Sequence, residues 1–296
     1  MLQLSCRVLA IQVAAVVLLL LLLLLLLALG AGVQLFRFAG DERDAEQAWS
    51  QLAHQTLQLP DHFDPNLVAG LPEPARRFFG YAILPGTRLS TVVEISMRGE
   101  ISLGTKDKPN YQPMTAVQLL APPRGMVWKL SAGQGLMRVA GSDGLLDDVA
   151  WTRFWLLKLI PVARVEGTTD HLRSAFGRVV AEAALWAPAF LLPRAGVTWT
   201  QTGPDSARAT VVYGSLHQDV DVTVNAIGQP LSVSMPRWTN ANPEKVFRLQ
   251  PFGGEVGDFR EVSGYRLPFR VDGGNHFGTA AYFAFYRARV ERITVR

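Results

Sequence analysis

The hydrophobic pattern of the chain begins with one long uncharged segment, Val8–Phe36, built around an unbroken leucine run over 18–27. A helix needs about 20 apolar residues to span a bilayer, so the segment is predicted to be a transmembrane anchor that crosses with some tilt. Arg7 precedes it, and acidic residues outnumber basic ones shortly after it. The positive-inside tendency therefore predicts a cytoplasmic N-terminus at residues 1–7 and a C-terminal domain outside the cytoplasm.

A cleaved signal peptide is the alternative interpretation of this segment, because Ala28-Leu29-Gly30 resembles a small-residue cleavage site. The apolar core of a signal peptide is about 7–15 residues long, and this segment is about twice that length. We therefore favour an uncleaved, single-pass anchor in a bacterial cytoplasmic (inner) membrane, which makes the membrane a predicted partner. The only cysteine, Cys6, precedes the anchor, so no disulfide is predicted in the exported part.

Residues 37–70 are predicted to form a helical linker. Apolar residues recur at helical spacing over 44–59, with polar residues between them, and Pro60 ends the pattern. A second short helix is predicted over 74–82, because proline suits the first turn of a helix. This helix leads into the main exported domain.

The exported domain, 71–296, is dominated by the alternation of apolar and polar residues that is typical of half-buried strands, beginning at Arg88–Leu103. One helix interrupts the strands at about 172–190, where Phe176 and Val180 belong to a broad apolar stripe. Proline and glycine punctuation separates the other predicted strands. They cover 115–121, 125–131, 135–140, 145–152, 197–202, 207–213, 219–225, 231–235, 246–251, 256–262, 265–271 and 282–295.

This order of elements predicts a mainly β (α+β) fold. A sheet of about a dozen strands tends to curl, split or close. We expect a large curved antiparallel sheet or half-barrel that holds the inserted helix as a plug in its concave face, because curling would bury the apolar stripe of that helix. Two packed sheets are the alternative.

The charge balance adds little to this picture. The chain has 29 basic and 25 acidic residues and a pI of about 9.4, without a long basic run. Such a weak excess is typical of an ordinary solvated surface, so no nucleic-acid partner is predicted. Attraction to anionic lipid headgroups is the minority interpretation.

Seven phrases of the exported domain stand out: LPEPARRFF at 71–79, MRGE at 97–100, LIPVA at 159–163, RSAFGR at 173–178, SMPRW at 234–238, PFGGE at 251–255 and HFGT at 276–279. Together they resemble a bacterial, membrane-anchored family catalogued as a domain of unknown function. The resemblance covers about Leu71–Arg296 and implies no established activity. The predicted curved sheet also resembles, more loosely, the lipoprotein-carrier fold of periplasmic lipid chaperones.

Arg178 and Glu182 are candidate ligand-binding residues on the inserted helix. They lie four residues apart and therefore share one face of an otherwise apolar helix. If that face lines a cavity, the arginine could bind an anionic headgroup and the carboxylate could act as an acid or a base. The alternative, which we favour, is an ordinary intrahelical ion pair, or pairing of each of the two residues with residues of the sheet.

Arg237, Trp238 and Glu255 are three further candidates. Arginine beside an indole at a strand end is typical of a ligand edge, although anchoring of a loop explains the pair equally well. Glu255 closes the glycine-rich phrase over 251–255, which could let a backbone approach a ligand. This phrase lacks the Lys and Ser/Thr of a phosphate-binding loop, so we favour a tight hairpin there.

His276 is the most interesting of the five histidines, although a structural hydrogen bond at a turn is its favoured role. The histidines do not have the spacing of a zinc motif, and the Gly-x-Ser-x-Gly elbow of serine hydrolases is absent from the sequence. No metal, cofactor or catalytic residue is therefore predicted.

The sequence leaves three classes of function open. The favoured one is an anchored binding protein whose curved sheet holds a lipid or other apolar small molecule. The alternative is an envelope module with a filled core that binds a protein partner. The third is a hydrolase-like enzyme that uses Arg178, Glu182, Glu255 or His276.

Overall fold

A computed structural model describes residues 2–296, with side chains described from residue 12 onward except residue 13. The described part contains three α-helices, α1 (Leu2–Ala53), α2 (Glu73–Ala82) and α3 (Thr169–Trp186). It contains thirteen strands: β1 (Val93–Ser102), β2 (Tyr111–Ala121), β3 (Gly125–Ala132), β4 (Val139–Leu146), β5 (Val149–Leu156), β6 (Ile160–Glu166), β7 (Val197–Gly203), β8 (Ser206–Tyr213), β9 (Leu216–Val224), β10 (Pro230–Thr239), β11 (Arg248–Val262), β12 (Tyr265–Asn275) and β13 (Phe283–Val295).

All thirteen strands form one curved, open antiparallel sheet in the order β6-β5-β4-β3-β2-β1-β13-β12-β11-β10-β9-β8-β7. The sheet consists of two meanders, β1–β6 and β7–β13, which join where β1 pairs with β13. Helix α3 connects the two outermost strands, β6 and β7. The predicted mainly β fold with a large curved sheet is therefore confirmed, and the alternative of two packed sheets is wrong.

Helix α3 is the helix predicted to plug the concave face. The Thr168 hydroxyl accepts a hydrogen bond from the backbone N–H of His171, which caps the first turn. Phe176, Val179 and Val180 are fully buried against strands of both meanders. Each large apolar side chain buried in this way contributes about 1.5–3 kcal/mol to stability. The main core of the protein therefore lies between α3 and the concave face.

Helix α1 differs from the two separate helices predicted over 8–36 and 44–59, because it continues without a break to Ala53. Gly40 is the only strong helix-weakening residue between them, and an interior glycine costs only about 1 kcal/mol. The segment Ala14–Ala53 is long and apolar enough to span a membrane. Met1 lies outside the described residues, and the cytoplasmic location of 1–7 stays a prediction.

The C-terminal part of α1 packs on the outer face of the sheet. Ala45, Ala48 and Leu52 are buried there in a second apolar cluster with Leu119 and other residues of β2–β5. The next residue along β2, Leu120, belongs to the main core, as the alternation of side chains along a strand requires. The sheet thus has apolar contacts on both faces.

Two stretches that resemble turns in the sequence are strand interiors in the structure. The phrase over 251–255, predicted to be a tight hairpin, lies inside β11. The stretch Gly-Ser-Asp-Gly over 141–144, which we placed between strands, lies inside β4. Both stretches border the cavity described next.

Candidate functional site

A cavity of about 240 Å³ lies between α3 and the concave face of the sheet and is partly open to solvent. Its walls are mainly apolar, with Leu185 and Ala181 contributed by α3. The sheet contributes apolar residues from strands of both meanders, among them Ile101, Val233, Met235, Phe252, Val271 and Phe285. Four charged side chains, described below, are the exception to this apolar lining.

Gly253 and Gly254 form part of the cavity wall in β11. A Cβ atom on Gly253 would lie 2.6 Å from the carbonyl oxygen of Val233 in β10, and one on Gly254 would overlap the carbonyl of Asp272 in β12. The two glycines therefore permit close approach of three strands. This close approach, rather than a hairpin, explains the glycine pair.

Arg178 is the centre of a buried network on the cavity wall. Its Nη1 donates to Asp143 Oδ2 at 2.6 Å, and its Nε donates to Glu182 Oε1 at 2.5 Å. The other oxygen of Glu182 accepts a hydrogen bond from Gln118, and the guanidinium lies 4.8 Å from the ring centroid of Trp128. Burial disfavours the charge on Arg178, but Glu182 and Asp143 outweigh it and raise the pKa of Arg178. The cation is thus fully compensated by the protein.

Arg237 lines the same cavity but is not compensated in this way. No carboxylate among the described residues lies within ion-pairing distance of it, and its buried Nε has no hydrogen-bond partner there. Its guanidinium lies 4.7 Å from the ring centroid of Phe252. Burial, together with the neighbouring positive charge of Arg178, lowers the pKa of Arg237. An arginine remains cationic even so, and this cation has an unsatisfied donor at the cavity.

Two further groups beside the network bear on its chemistry. The indole Nε1 of Trp128, which lines the cavity, is buried and has no partner among the described residues. Tyr286 also lines the cavity, and its hydroxyl contacts Met97 Sδ at 2.8 Å. Burial, followed by the negative charge of Glu182, raises the pKa of Tyr286, so this tyrosine stays neutral. The unpaired groups of the cavity are donors, which fits an acceptor ligand.

His171 and Thr152 extend the network from Asp143 toward the start of α3. The Thr152 hydroxyl donates to Asp143 Oδ1 at 2.8 Å and lies 3.0 Å from His171 Nε2. Burial lowers the pKa of His171, although Asp143 acts in the opposite direction. His171 is therefore held in its neutral form at neutral pH.

The structure brings together three of the six predicted site residues. Arg178, Glu182 and Arg237 line one cavity. The favoured interpretation of Arg178 and Glu182 as an intrahelical ion pair describes their contact, and the same pair also borders the cavity. Both residues also contact the sheet, through Asp143 and Gln118, and a role of the pair in ligand binding stays a prediction.

The other three predicted residues lie outside the cavity wall. Trp238 Nε1 donates to Asp170 at 2.7 Å, and its ring carries the guanidinium of Arg173 at 4.0 Å, so it fastens the start of α3. Glu255 is exposed. The backbone N–H of His276 donates to the carbonyl of Pro251 at 2.6 Å, in the turn before β13.

The sequence did not point to Asp143, Gln118, Trp128 or Tyr286. Asp143 stands in a glycine-flanked stretch that is typical of turns, and the other three lie on ordinary strand patterns. Only the pairing of distant strands brings them together. Among the described residues, no group of three or more His, Cys, Asp or Glu side chains could hold a metal ion.

The fold and the cavity define a class of protein: a curved antiparallel sheet with a helix in its concave face, carried on an apolar N-terminal helix that could span a membrane. Residues 61–287 match the model of a family described as a family of unknown function, DUF6544. The chain belongs to this family, which confirms the resemblance inferred from its phrases.

Comparisons with other proteins add one weak likeness. No curated protein matches the chain. Among solved structures, the chain is similar to a crystal structure described as that of an outer membrane lipoprotein-sorting protein domain from Vibrio parahaemolyticus. The two are 10% identical, the match covers 78% of this chain and 92% of that chain, and the TM-score is 0.36. A likeness this weak carries no information about what this chain binds.

Proposed function

We propose that the chain is a binding protein, anchored by α1 in a bacterial cytoplasmic membrane, whose exported domain holds an amphipathic molecule in the cavity beside α3. The apolar part of the ligand lies among the apolar walls. Its anionic group, a carboxylate or a phosphate, contacts the guanidinium of Arg237. Ligands of this kind include fatty acids and lipid fragments.

The unpaired Arg237 is the observation that carries this proposal. Arg237 is half-buried, and its Nε is buried without a partner among the described residues. Such a cation costs free energy, because it loses water and is compensated only at longer range, by Asp143 and Glu182. The other arginine of the cavity, Arg178, pairs directly with two carboxylates, those of Asp143 and Glu182. An anionic ligand would give Arg237 the partner that the described protein does not supply, and Trp128 Nε1 offers a second donor nearby.

The size of the cavity limits the ligand. Pockets for drug-sized molecules measure about 300–1,000 Å³. The cavity here is about 240 Å³, so it accepts one short apolar chain rather than several acyl chains.

The polar groups of the cavity favour binding over hydrolysis. Both carboxylates at the cavity already accept hydrogen bonds from Arg178, which leaves them poor general bases.

The proposal can be tested by photolabelling the full chain in nanodiscs of phosphatidylethanolamine and phosphatidylglycerol. The probes are a medium-chain fatty acid with a terminal diazirine and the matched alcohol with the same diazirine. We expect the acid to label peptides of α3, β10 and β11 that line the cavity, in competition with octyl phosphate. The alcohol should label them less.

Arg237→Gln is the critical variant and Arg173→Gln its matched control, because Arg173 stacks on Trp238 away from the cavity wall. We expect Arg237→Gln to lose the preference for the acid and Arg173→Gln to retain it. Equal labelling by acid and alcohol in the wild type, or unchanged preference in Arg237→Gln, would overturn the proposal. Thermal unfolding of each variant separates loss of binding from loss of fold.

A further inference from the structure

We propose that one end of the sheet rests on the anionic surface of the bilayer that α1 spans, so that the cavity opens among the lipid headgroups. This inference uses the anchor role of α1 from the proposed function, but it does not depend on the identity of the ligand. Six turns form this end, which we call the cavity end: 103–110, 133–138, 157–159, 214–215, 240–247 and 276–282.

The strand register places these six turns together. In an antiparallel meander every second turn lies at the same end of the sheet, and β1 pairs with β13 so that Ile101 lies opposite Tyr286. Hydrogen bonds link neighbouring turns: Leu157 N donates to the carbonyl of Arg138 at 2.9 Å, and Lys106 Nζ donates to the carbonyl of Ala280. The strand register therefore places all six turns at one end of the sheet, and these hydrogen bonds join four of them in two pairs.

Helix α1 leaves the domain past this surface. At the opposite end of the sheet, Gln55 donates to the carbonyl of Pro122 at 2.7 Å. Seventeen residues earlier, Phe38 packs edge-on against Trp155 with ring centroids 6.2 Å apart. Lys158, in the turn 157–159, lies with its Nζ 5.3 Å from the ring centroid of Phe38. The transmembrane segment thus continues outward from the cavity end.

The distance from the bilayer to the cavity end is short. Phe36 ends the uncharged segment, and Phe38 follows it by a rise of only about 3 Å along the helix. The headgroup layer on each side of a hydrocarbon core of about 30 Å is about 5–8 Å thick. A turn in contact with Phe38 therefore lies at headgroup depth. The unbroken helix and its docking on the sheet hold it there.

The chemistry of the cavity end fits an anionic lipid surface. Four of the five lysines of the chain lie in its turns, and these turns hold five cations against two carboxylates, Asp107 and Glu244. The turns at the opposite end, 122–124, 147–148, 204–205, 225–229 and 263–264, hold one cation against three carboxylates. Exposed apolar side chains accompany the cations at the cavity end, among them Leu103, Leu136, Met137 and Val246. Cations beside exposed apolar residues are typical of membrane-surface contacts.

The cavity shares this end of the sheet. Ile101, Arg237 and Gly273 line it, and each lies within three residues of the end of its strand at the cavity end. A ligand that enters the cavity at this end passes from the headgroup layer without crossing bulk water. Arg237 is placed to contact its anionic group at the membrane surface.

Depth-dependent quenching of a fluorophore on the full chain tests this inference. Cys6→Ser removes the native thiol, and Leu136→Cys, in the turn 133–138, accepts an environment-sensitive dye. Leu136 is 79% exposed, so the substitution leaves the core intact. Ile227→Cys is the matched control, because Ile227 is an apolar residue, 69% exposed, in a turn at the opposite end. The labelled proteins are reconstituted in phosphatidylethanolamine–phosphatidylglycerol vesicles with headgroup spin-labelled lipid.

We expect strong quenching at Leu136→Cys and none beyond background at Ile227→Cys. Ala28→Cys, inside the transmembrane segment and labelled in the same way, confirms insertion through acyl-chain spin-labelled lipid. Charge reversal at Lys106, Lys108 and Lys158 to glutamate should lose quenching at Leu136→Cys. Equal quenching at both ends, or no effect of charge reversal, would overturn docking on an anionic surface. None of these readouts requires a bound ligand, so docking and ligand binding can fail separately.

Discussion

The outer and inner faces of the sheet use arginine in contrasting ways. On the outer face, Asp41 of α1 accepts hydrogen bonds from Arg164 Nη1 at 2.6 Å and Trp155 Nε1 at 2.9 Å. Arg153 lies beside them, paired with Asp44 at 2.9 Å. On the inner face, Arg178 has ion-pair partners, whereas Arg237 has none among the residues whose side chains are described. Paired charges stabilise the contact between two elements. A charge without a direct partner does not, but an anionic ligand can stabilise it on binding.

Arg178→Met should have the largest effect on stability. It leaves Asp143 and Glu182 without their cation, and breaking a buried ion pair in this way costs about 3–5 kcal/mol. We expect that loss in the free energy of unfolding, measured by urea denaturation in mild detergent. Arg208→Met is the control, because its pairing with Asp221 is more exposed and should cost less than about 1 kcal/mol. Similar losses in the two variants would contradict the structural role of Arg178.

Asp41→Asn should have the next largest effect, on the outer face. Arg164 is more than a third exposed, so we reduce the expected loss to about 2–3 kcal/mol. The loss should be local, with faster hydrogen exchange of the α1 amides over 44–53 and unchanged exchange in the sheet. Asp44→Asn is the control, because Asp44 is mostly exposed and should have little effect. Unchanged exchange in Asp41→Asn would show that apolar packing alone holds the helix.

Arg237→Met should affect ligand affinity but not stability, unlike the two variants above. Arg237 is half-buried and has no ion-pair partner among the described residues, so its removal should leave the free energy of unfolding unchanged or raised. Hydrogen bonds to charged groups contribute about 1.5–3 kcal/mol, so affinity for octyl phosphate should fall by about ten- to a hundredfold. Calorimetric titration of the full chain in nanodiscs, corrected with empty nanodiscs, measures this change. A stability loss as large as that of Arg178→Met would show that Arg237 has a structural partner instead.

The smallest expected effect is the pH dependence caused by His171. Burial lowers the pKa of His171 in the folded state, so the unfolded chain binds its proton first. This contribution to stability is complete above the ordinary histidine pKa of about 6.5 and is lost as the pH falls from there toward the folded-state pKa. His171→Gln should remove this part of the acid sensitivity. Identical pH profiles of unfolding for wild type and variant would contradict it.

The sequence predicted the features that depend on the residues of a single helix or strand. Alternation of apolar and polar residues predicted most strands, and the apolar stripe of α3 predicted that a helix would fill the concave face. It did not predict the features that depend on contacts with neighbouring strands. The glycine pair at 253–254 resembles a turn, but the glycines exist because β10 and β12 approach β11 too closely for a Cβ atom. A single strand contains no information about that approach.

The candidate site shows the same limit. Arg178 and Glu182 were accessible to prediction because helical spacing alone places them together. Asp143 and Arg237 belong to different meanders, and only the curvature of the sheet around α3 brings them to the same cavity. Whether a predicted charge is paired depends on such distant partners. The sequence could therefore identify Arg237 as a candidate but not show that no described carboxylate pairs with it directly.

The pairing of β1 with β13 also dictates an order of assembly. The first meander can form soon after its strands are synthesised, but the free side of β1 has no neighbour until β13 has been synthesised about two hundred residues later. Contacts so distant along the chain form slowly, and an unpaired strand is prone to pair with other chains. The free side of β1 therefore stays unpaired until synthesis of the chain is almost complete. Deletion of β13 would expose that strand permanently and favour aggregation.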